Sequence, residues 1–150
     1  MIKDRAAGAI IGGLIGDALG LGCHWYYDLN EMRQHHGDWI SDYTTPRPGR
    51  YHAGQKAGQL SQTGPITVMI LRSVLEQKNY VERDFIHRLE TELFPMLDGT
   101  AMQGPGGYTN QSIREAYICR ITEKKPWSES AGQTDTTEAA ERSVVLAARY

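Results

Sequence analysis

A chain of 150 residues and 16.8 kDa is long enough for one sizeable hydrophobic core and too short for two good ones. Sixteen lysines and arginines against eighteen acids leave a net charge of −2, which excludes a nucleic-acid protein that binds by neutralising phosphates. Two cysteines, Cys23 and Cys119, exclude a disulfide scaffold, and a cytoplasmic location is expected.

The first element spans residues 6–23, AAGAIIGGLIGDALGLGC, behind the charged Lys3, Asp4 and Arg5. Asp17 interrupts the apolar run, and the run is short for a membrane span of about 20 residues, so neither an exported leader nor a membrane segment is expected. Gly8, Gly12, Gly16 and Gly20 recur every fourth residue and line one ridge of a helix. Each costs the helix roughly 1 kcal/mol against alanine, a loss that close approach of a neighbouring helix or ligand would offset. The spacing therefore predicts a buried, central helix. Asp17 on it is either a structural cap for a neighbouring loop or a functional carboxylate.

Residues 37–63 have no period and hold Pro46, Pro48, Gly49, Gly54 and Gly58 among Trp39, Tyr43, Tyr51 and His52. So long an irregular stretch is typical of a binding loop or lid. A helix follows with Thr63 or Gly64 near its cap and Pro65 in its first turn, and runs to about Gln77. Phe85, Ile86, Leu89, Leu93 and Phe94 define another, ending near Pro95. Thr109-Asn110 cap a helix carrying Ile113, Ala116, Tyr117 and Ile121, and Asp135 with Glu138 has capping-box spacing before a last helix to Tyr150. No alternation of period two occurs anywhere, so the expected fold is all-α, in a single domain over 1–150.

Three features could carry chemistry. Gly104, Gly106 and Gly107, followed by Tyr108 and a helix start, could cradle an anion on free backbone N–H groups, with Tyr108 covering a ribose or base. Asp17 and His24 are the candidate acid and base. No HExxH or paired His/Cys spacing supports a zinc site, His35 and His36 are expected on a solvated turn, and Cys23 is expected in the core.

The stretch Arg5-Ala6-Ala7-Gly8-Ala9 through Gly16-Asp17-Ala18-Leu19-Gly20 resembles the opening helix of the ADP-ribosylglycohydrolase family. His24-Trp25-Tyr26-Tyr27-Asp28, residues 52–76, DGTAMQGPGGYTNQSIR and TTEAAERSVVLAARY resemble later segments of its crystallin-like branch. The resemblance implies an orthogonal helical bundle like the N-terminal half of an all-α fold of about twice this length, so an incomplete domain, a homo-oligomer or a partner half-domain is expected. It also implies hydrolysis of an N- or O-glycosidic bond of ADP-ribose, the partner being an ADP-ribose-like small molecule or an ADP-ribosylated protein. Paired magnesium ions held by carboxylates would assist, one ligand pair coming from a Thr-Asp-Asp-Thr motif. Here Ser61-Gln62-Thr63-Gly64, or Thr63-Gly64-Pro65-Ile66, occupies that position, and no acid lies between Asp42 and Glu76. His24 stands where the family often carries a glutamate, and Thr134-Asp135-Thr136 offers a single Asp. The expected protein is therefore either a divergent hydrolase with an altered metal requirement or a non-catalytic binding or structural protein on the same scaffold.

Overall fold

A computed structural model describes residues 2–134 and 136–150, with backbone alone at residues 2 and 3; the proposed cap Asp135 lies outside the described residues. The described residues form helices and turns without a strand. Helix α1 (Ile2–Leu21) is the longest, followed by α2 (Leu29–His36), α3 (Thr63–Gln77), α4 (Glu82–Arg88), α5 (Gln111–Tyr117), α6 (Glu138–Arg142) and α7 (Val144–Arg149). The fold is all-α, as the missing strand periodicity requires. Among the described residues no helix is long and apolar enough to cross a membrane.

Helix α3 is the hub. Ile66, Met69, Ile70 and Val74 recur at helical spacing and bury one stripe against Leu89, Leu93, Phe94 and Leu97, with Ile113, Ala116 and Val145 closing the core. The chain reverses at Lys78, in the left-handed region at φ 61°. Helix α4 does not end at Pro95 in one piece. It widens into a π-type turn over Leu89–Leu93 and tightens into a 3₁₀ turn over Phe94–Met96, a sequence of turns that buries Leu89, Leu93 and Phe94. Helix α5 starts as expected, the Asn110 side chain accepting the Ile113 N–H at 3.0 Å. The last helical segment is divided, α6 and α7 meeting at Ser143.

Helix α1 corrects the expectation of a buried glycine ridge. Leu14, Asp17, Ala18 and Leu21 turn inward, and Gly13 lies 3.9 Å from Val144 of α7, measured from where a Cβ would stand. The ridge of Gly8, Gly12, Gly16 and Gly20 meets no atom within 4 Å of such a Cβ, and Ile11 and Ile15 beside it are 56% and 47% exposed. The inward stripe, not the glycine ridge, anchors the helix: residues 14, 17, 18 and 21 share one face, and the ridge lies elsewhere on the cylinder.

Candidate functional site

A cleft of about 630 Å³ opens between the C-terminal half of α1, the start of α3 and helix α6. Its size is in the range of small-molecule sites. Asp17 and His24, the sequence-derived acid and base, both line it, together with Trp25, Ser61, Glu138 and Glu141.

Asp17 reaches across to the segment before α3. Its Oδ2 accepts the Ser61 N–H at 2.9 Å and its Oδ1 accepts the Ser61 hydroxyl. Ser61 Oγ in turn accepts the Thr63 N–H at 3.2 Å, so one carboxylate organises the entry to the helix. The contact is possible because Gly64 has no side chain: a Cβ there would lie 2.7 Å from Asp17 Oδ2 and 2.6 Å from the Leu60 Cβ. Burial pushes the Asp17 carboxyl above the ordinary 3.8, with the hydrogen bonds from Ser61 opposing and the nearby Glu141 reinforcing the rise. Of the two alternatives for Asp17, a structural cap and a functional carboxylate, the geometry satisfies the first and leaves the group on the cleft wall for the second.

His24 follows α1 on a short turn whose next residue, Trp25, has φ 61°, unusual for a bulky side chain. Its ring packs on Trp25 at 4.8 Å between centroids and lies end to end with His52 at 5.1 Å, nearly coplanar. Nδ1 of His24 lies 2.9 Å from Nε2 of His52, whose Nδ1 lies 2.5 Å from the carbonyl oxygen of Gly106. Burial, then the neighbouring His52, holds the His24 pKa below 6.5 against the pull of Glu141. His52 is 3% exposed and was one aromatic among several in an aperiodic loop; nothing in its spacing from His24 singles it out.

The glycine loop is placed elsewhere. Gly104, Gly106, Gly107 and Tyr108 do not line this cleft. A Cβ on Gly104 would lie 2.2 Å from Thr109 Oγ1, and one on Gly106 would lie 2.7 Å from the Gln62 nitrogen, so both glycines are accounted for by chain-to-chain contact. The loop is fastened to α3 by Gln62, whose Oε1 accepts the Asn110 N–H at 3.0 Å and whose Nε2 donates to Thr109 Oγ1 at 3.3 Å. Tyr108 packs edge-on against Trp25 at 4.7 Å and Tyr51 at 5.1 Å. These contacts give the loop a supporting position behind the wall that carries His24.

Two further expectations change. His35 and His36 are not on a solvated turn: they form the last turn of α2, and both rings contact the hydroxyl of buried Tyr26, at 2.9 Å and 3.3 Å. Cys23 is half-buried, its Sγ directed at the Gly20 carbonyl at 3.4 Å, so it belongs to the end of α1 and not to the core.

Behind the cleft wall, Arg142 of α6 has Nε and Nη2 buried without a hydrogen-bond acceptor among the described residues, Nη2 standing 3.7 Å from Glu138. Burial lowers its pKa despite Glu138 and Glu141. A buried ion pair at such a distance recovers little of its desolvation cost. Arg142→Met is expected to change stability by less than about 1 kcal/mol or to raise it, in contrast with the loss of several kcal/mol typical of a well-made buried pair. Urea unfolding of the two proteins measures the difference.

The paired magnesium ions implied by the resemblance do not fit these residues. Both oxygens of Asp17 are engaged by Ser61, Thr63 and buried Gly64 open α3 where carboxylates would be needed, and among the described residues no group of three His, Cys, Asp or Glu is arranged to hold an ion.

An all-helical domain with a cleft between its first helix and the start of its hub helix is the class the coordinates define. The model of the ADP-ribosylglycohydrolase family matches residues 1–150, and the chain belongs to that family. No curated protein and no solved structure matches the chain.

Proposed function

We propose that this ADP-ribosylglycohydrolase-like protein is a divergent hydrolase of an ADP-ribosyl or related N- or O-glycosidic bond, with Asp17 and His24 as its acid/base pair. The observation that carries the reading is that both line one cleft of ligand size, Asp17 from α1 and His24 from the turn that follows it. Hydrolysis breaks the bond from the anomeric carbon to the leaving nitrogen or oxygen and forms one to the oxygen of water. The leaving atom needs a proton and the water must lose one. A carboxyl whose pKa is raised by burial and an imidazole whose pKa is lowered by burial are shifted in the directions that suit a proton donor and a proton acceptor. Ser61 holds the Asp17 carboxyl in place, and Trp25, packed against His24, lines the same cleft. The donor set argues for activity without the family's metal pair. The Gly104–Tyr108 loop then supports the ligand-binding wall from behind and does not itself grip a phosphate. Two free cysteines are compatible with a cytoplasmic setting, and the whole of 1–150 acts as one domain, alone or completed by a second copy or half-domain.

ADP-ribose is expected to stabilise the protein. At about ten times its dissociation constant it adds about 1.4 kcal/mol, or about 3–6 °C in melting temperature. No shift at millimolar ADP-ribose overturns the reading. A second reading, a non-catalytic crystallin-like binding or structural protein, is favoured by the engagement of both Asp17 oxygens with Ser61. Release of free ADP-ribose from an ADP-ribosylated peptide, abolished by His24→Ala, supports the hydrolase; binding without release supports the second reading.

A further inference from the structure

We propose that His52 is a positioning residue that fixes the tautomer of His24, making Nε2 of His24 the proton-accepting atom of the cleft. The role of that atom rests on the hydrolytic reading above, whereas the tautomer follows from hydrogen-bond directions alone.

The directions are set from one end. The Gly106 carbonyl oxygen can only accept, so the His52 Nδ1 that lies 2.5 Å from it carries the hydrogen. In neutral His52 the lone pair is then on Nε2. That nitrogen lies 2.9 Å from Nδ1 of His24, which must donate. A neutral His24 holding its hydrogen on Nδ1 has its lone pair on Nε2, the ring nitrogen left for the cleft. The opposite arrangement needs His52 as an imidazolium donating from both nitrogens. At 3% exposure that is a buried cation, and among the described residues no carboxylate is within hydrogen-bond distance of it.

The loop that supplies the carbonyl is built for close approach. Gly106 at φ 78° packs its Cα against Ser61 and Gln62, and the side chain of Gln62 ties Thr109 and Asn110 to the same place. The rings are aligned for that bond: His24 and His52 lie end to end and nearly coplanar, 21° between planes, while Trp25 packs against His24 at 30°. The groups facing His24 are His52 behind it and Asp17, Glu138 and Glu141 around the cleft. When a water attacks, its O–H bond breaks, the proton is taken by the Nε2 lone pair, and the oxygen bonds to the anomeric carbon as the bond from that carbon to the leaving atom breaks and the leaving atom takes the proton of Asp17. Nδ1 keeps its own hydrogen, so His52 orients the base without relaying a proton.

The test is long-range ¹H–¹⁵N NMR on the full chain labelled at histidine, above the pH at which His24 titrates. The expected spectrum has His24 in a single tautomer with Nδ1 protonated and Nε2 bare. His52→Gln keeps an oxygen acceptor near the position of Nε2 and is expected to retain that tautomer, while His52→Phe keeps a planar ring at the position, removes the acceptor and is expected to give a mixture. Wild-type His24 protonated on Nε2, or a tautomer unchanged in folded His52→Phe, overturns the proposal. If His52→Phe does not fold, the wild-type spectrum and His52→Gln decide alone. ADP-ribose binding is scored on the same samples: its absence removes the hydrolytic reading, while a His24 with Nδ1 protonated still supports the positioning role of His52.

Discussion

Gly106→Ala is expected to lose about 3 kcal/mol of folding stability, from two causes that add. Gly106 sits at φ 78°, where a Cβ costs about 1 kcal/mol or more before any neighbour is considered. The Cβ would then lie 2.7 Å from the Ser61 carbonyl carbon and the Gln62 nitrogen and 2.8 Å from the Ser61 Cα. All three are backbone atoms, so no rotamer change relieves the overlap, and forced overpacking costs about 1–3 kcal/mol. Relief requires the loop to withdraw, which carries the Gly106 carbonyl away from His52. Urea unfolding measures the loss, and a penalty below about 1 kcal/mol would show that the loop gives way freely. Gly12→Ala is the matched contrast. It lies in α1 with no atom within 4 Å of its Cβ position and is expected to stabilise by about 0.5–1 kcal/mol through helix propensity.

The contrast between those glycines marks what the sequence could and could not reveal. Their four-residue spacing identified a helix, because backbone periodicity is a local property. It did not identify which face packs: the inward stripe includes Asp17 and Ala18, a carboxylate and a small residue, and neither stands out beside Ile11 and Ile15, which remain exposed. The Gly104–Gly107 loop illustrates the reverse ambiguity. Glycine before a helix start signals close approach to the backbone, but the signal is the same whether a ligand or the chain's own Ser61 and Gln62 does the approaching. Asp17 and His24 stand out in the sequence, one as a charge on an apolar helix and the other where the family often carries a glutamate, and the structure sets both on the wall of one cleft. His52, 28 residues further along, meets His24 only through the folding of an aperiodic segment, and no pattern in one dimension encodes that distance. The division of the last helix at Ser143, and the wide turn after Arg88, are equally products of packing.

Asp17 is where fold and chemistry compete, and its variants separate the two. Asp17→Ala leaves the Ser61 N–H and hydroxyl without their acceptor at the entry to α3, and is expected to cost about 1–3 kcal/mol, the lower end if water from the cleft replaces the carboxylate. Asp17→Asn keeps one acceptor and removes the titration. The pKa of Asp17 is raised in the folded protein above its ordinary 3.8, burial outweighing the Ser61 hydrogen bonds. Between 3.8 and that higher value the folded chain binds the proton more firmly than the unfolded chain. The stability contributed by Asp17 is therefore full below 3.8 and is lost as pH rises through the folded pKa. The stability of wild type relative to Asp17→Asn is expected to fall across this window and to level above it. His24 has the opposite sign: with a folded pKa below 6.5, its contribution is present above 6.5 and is lost as pH falls through the folded value. A series of melting curves for wild type, Asp17→Asn and His24→Gln from pH 3.5 to 7.5 resolves the two slopes by subtraction, at about 1.4 kcal/mol per pH unit for each full proton of difference. A wild-type advantage over Asp17→Asn that grows with pH would mean that Ser61 stabilises the ion more than burial opposes it. Asp17 would then be held as a permanently charged cap on α3, and the acid of the cleft would have to be sought at Glu138 or Glu141.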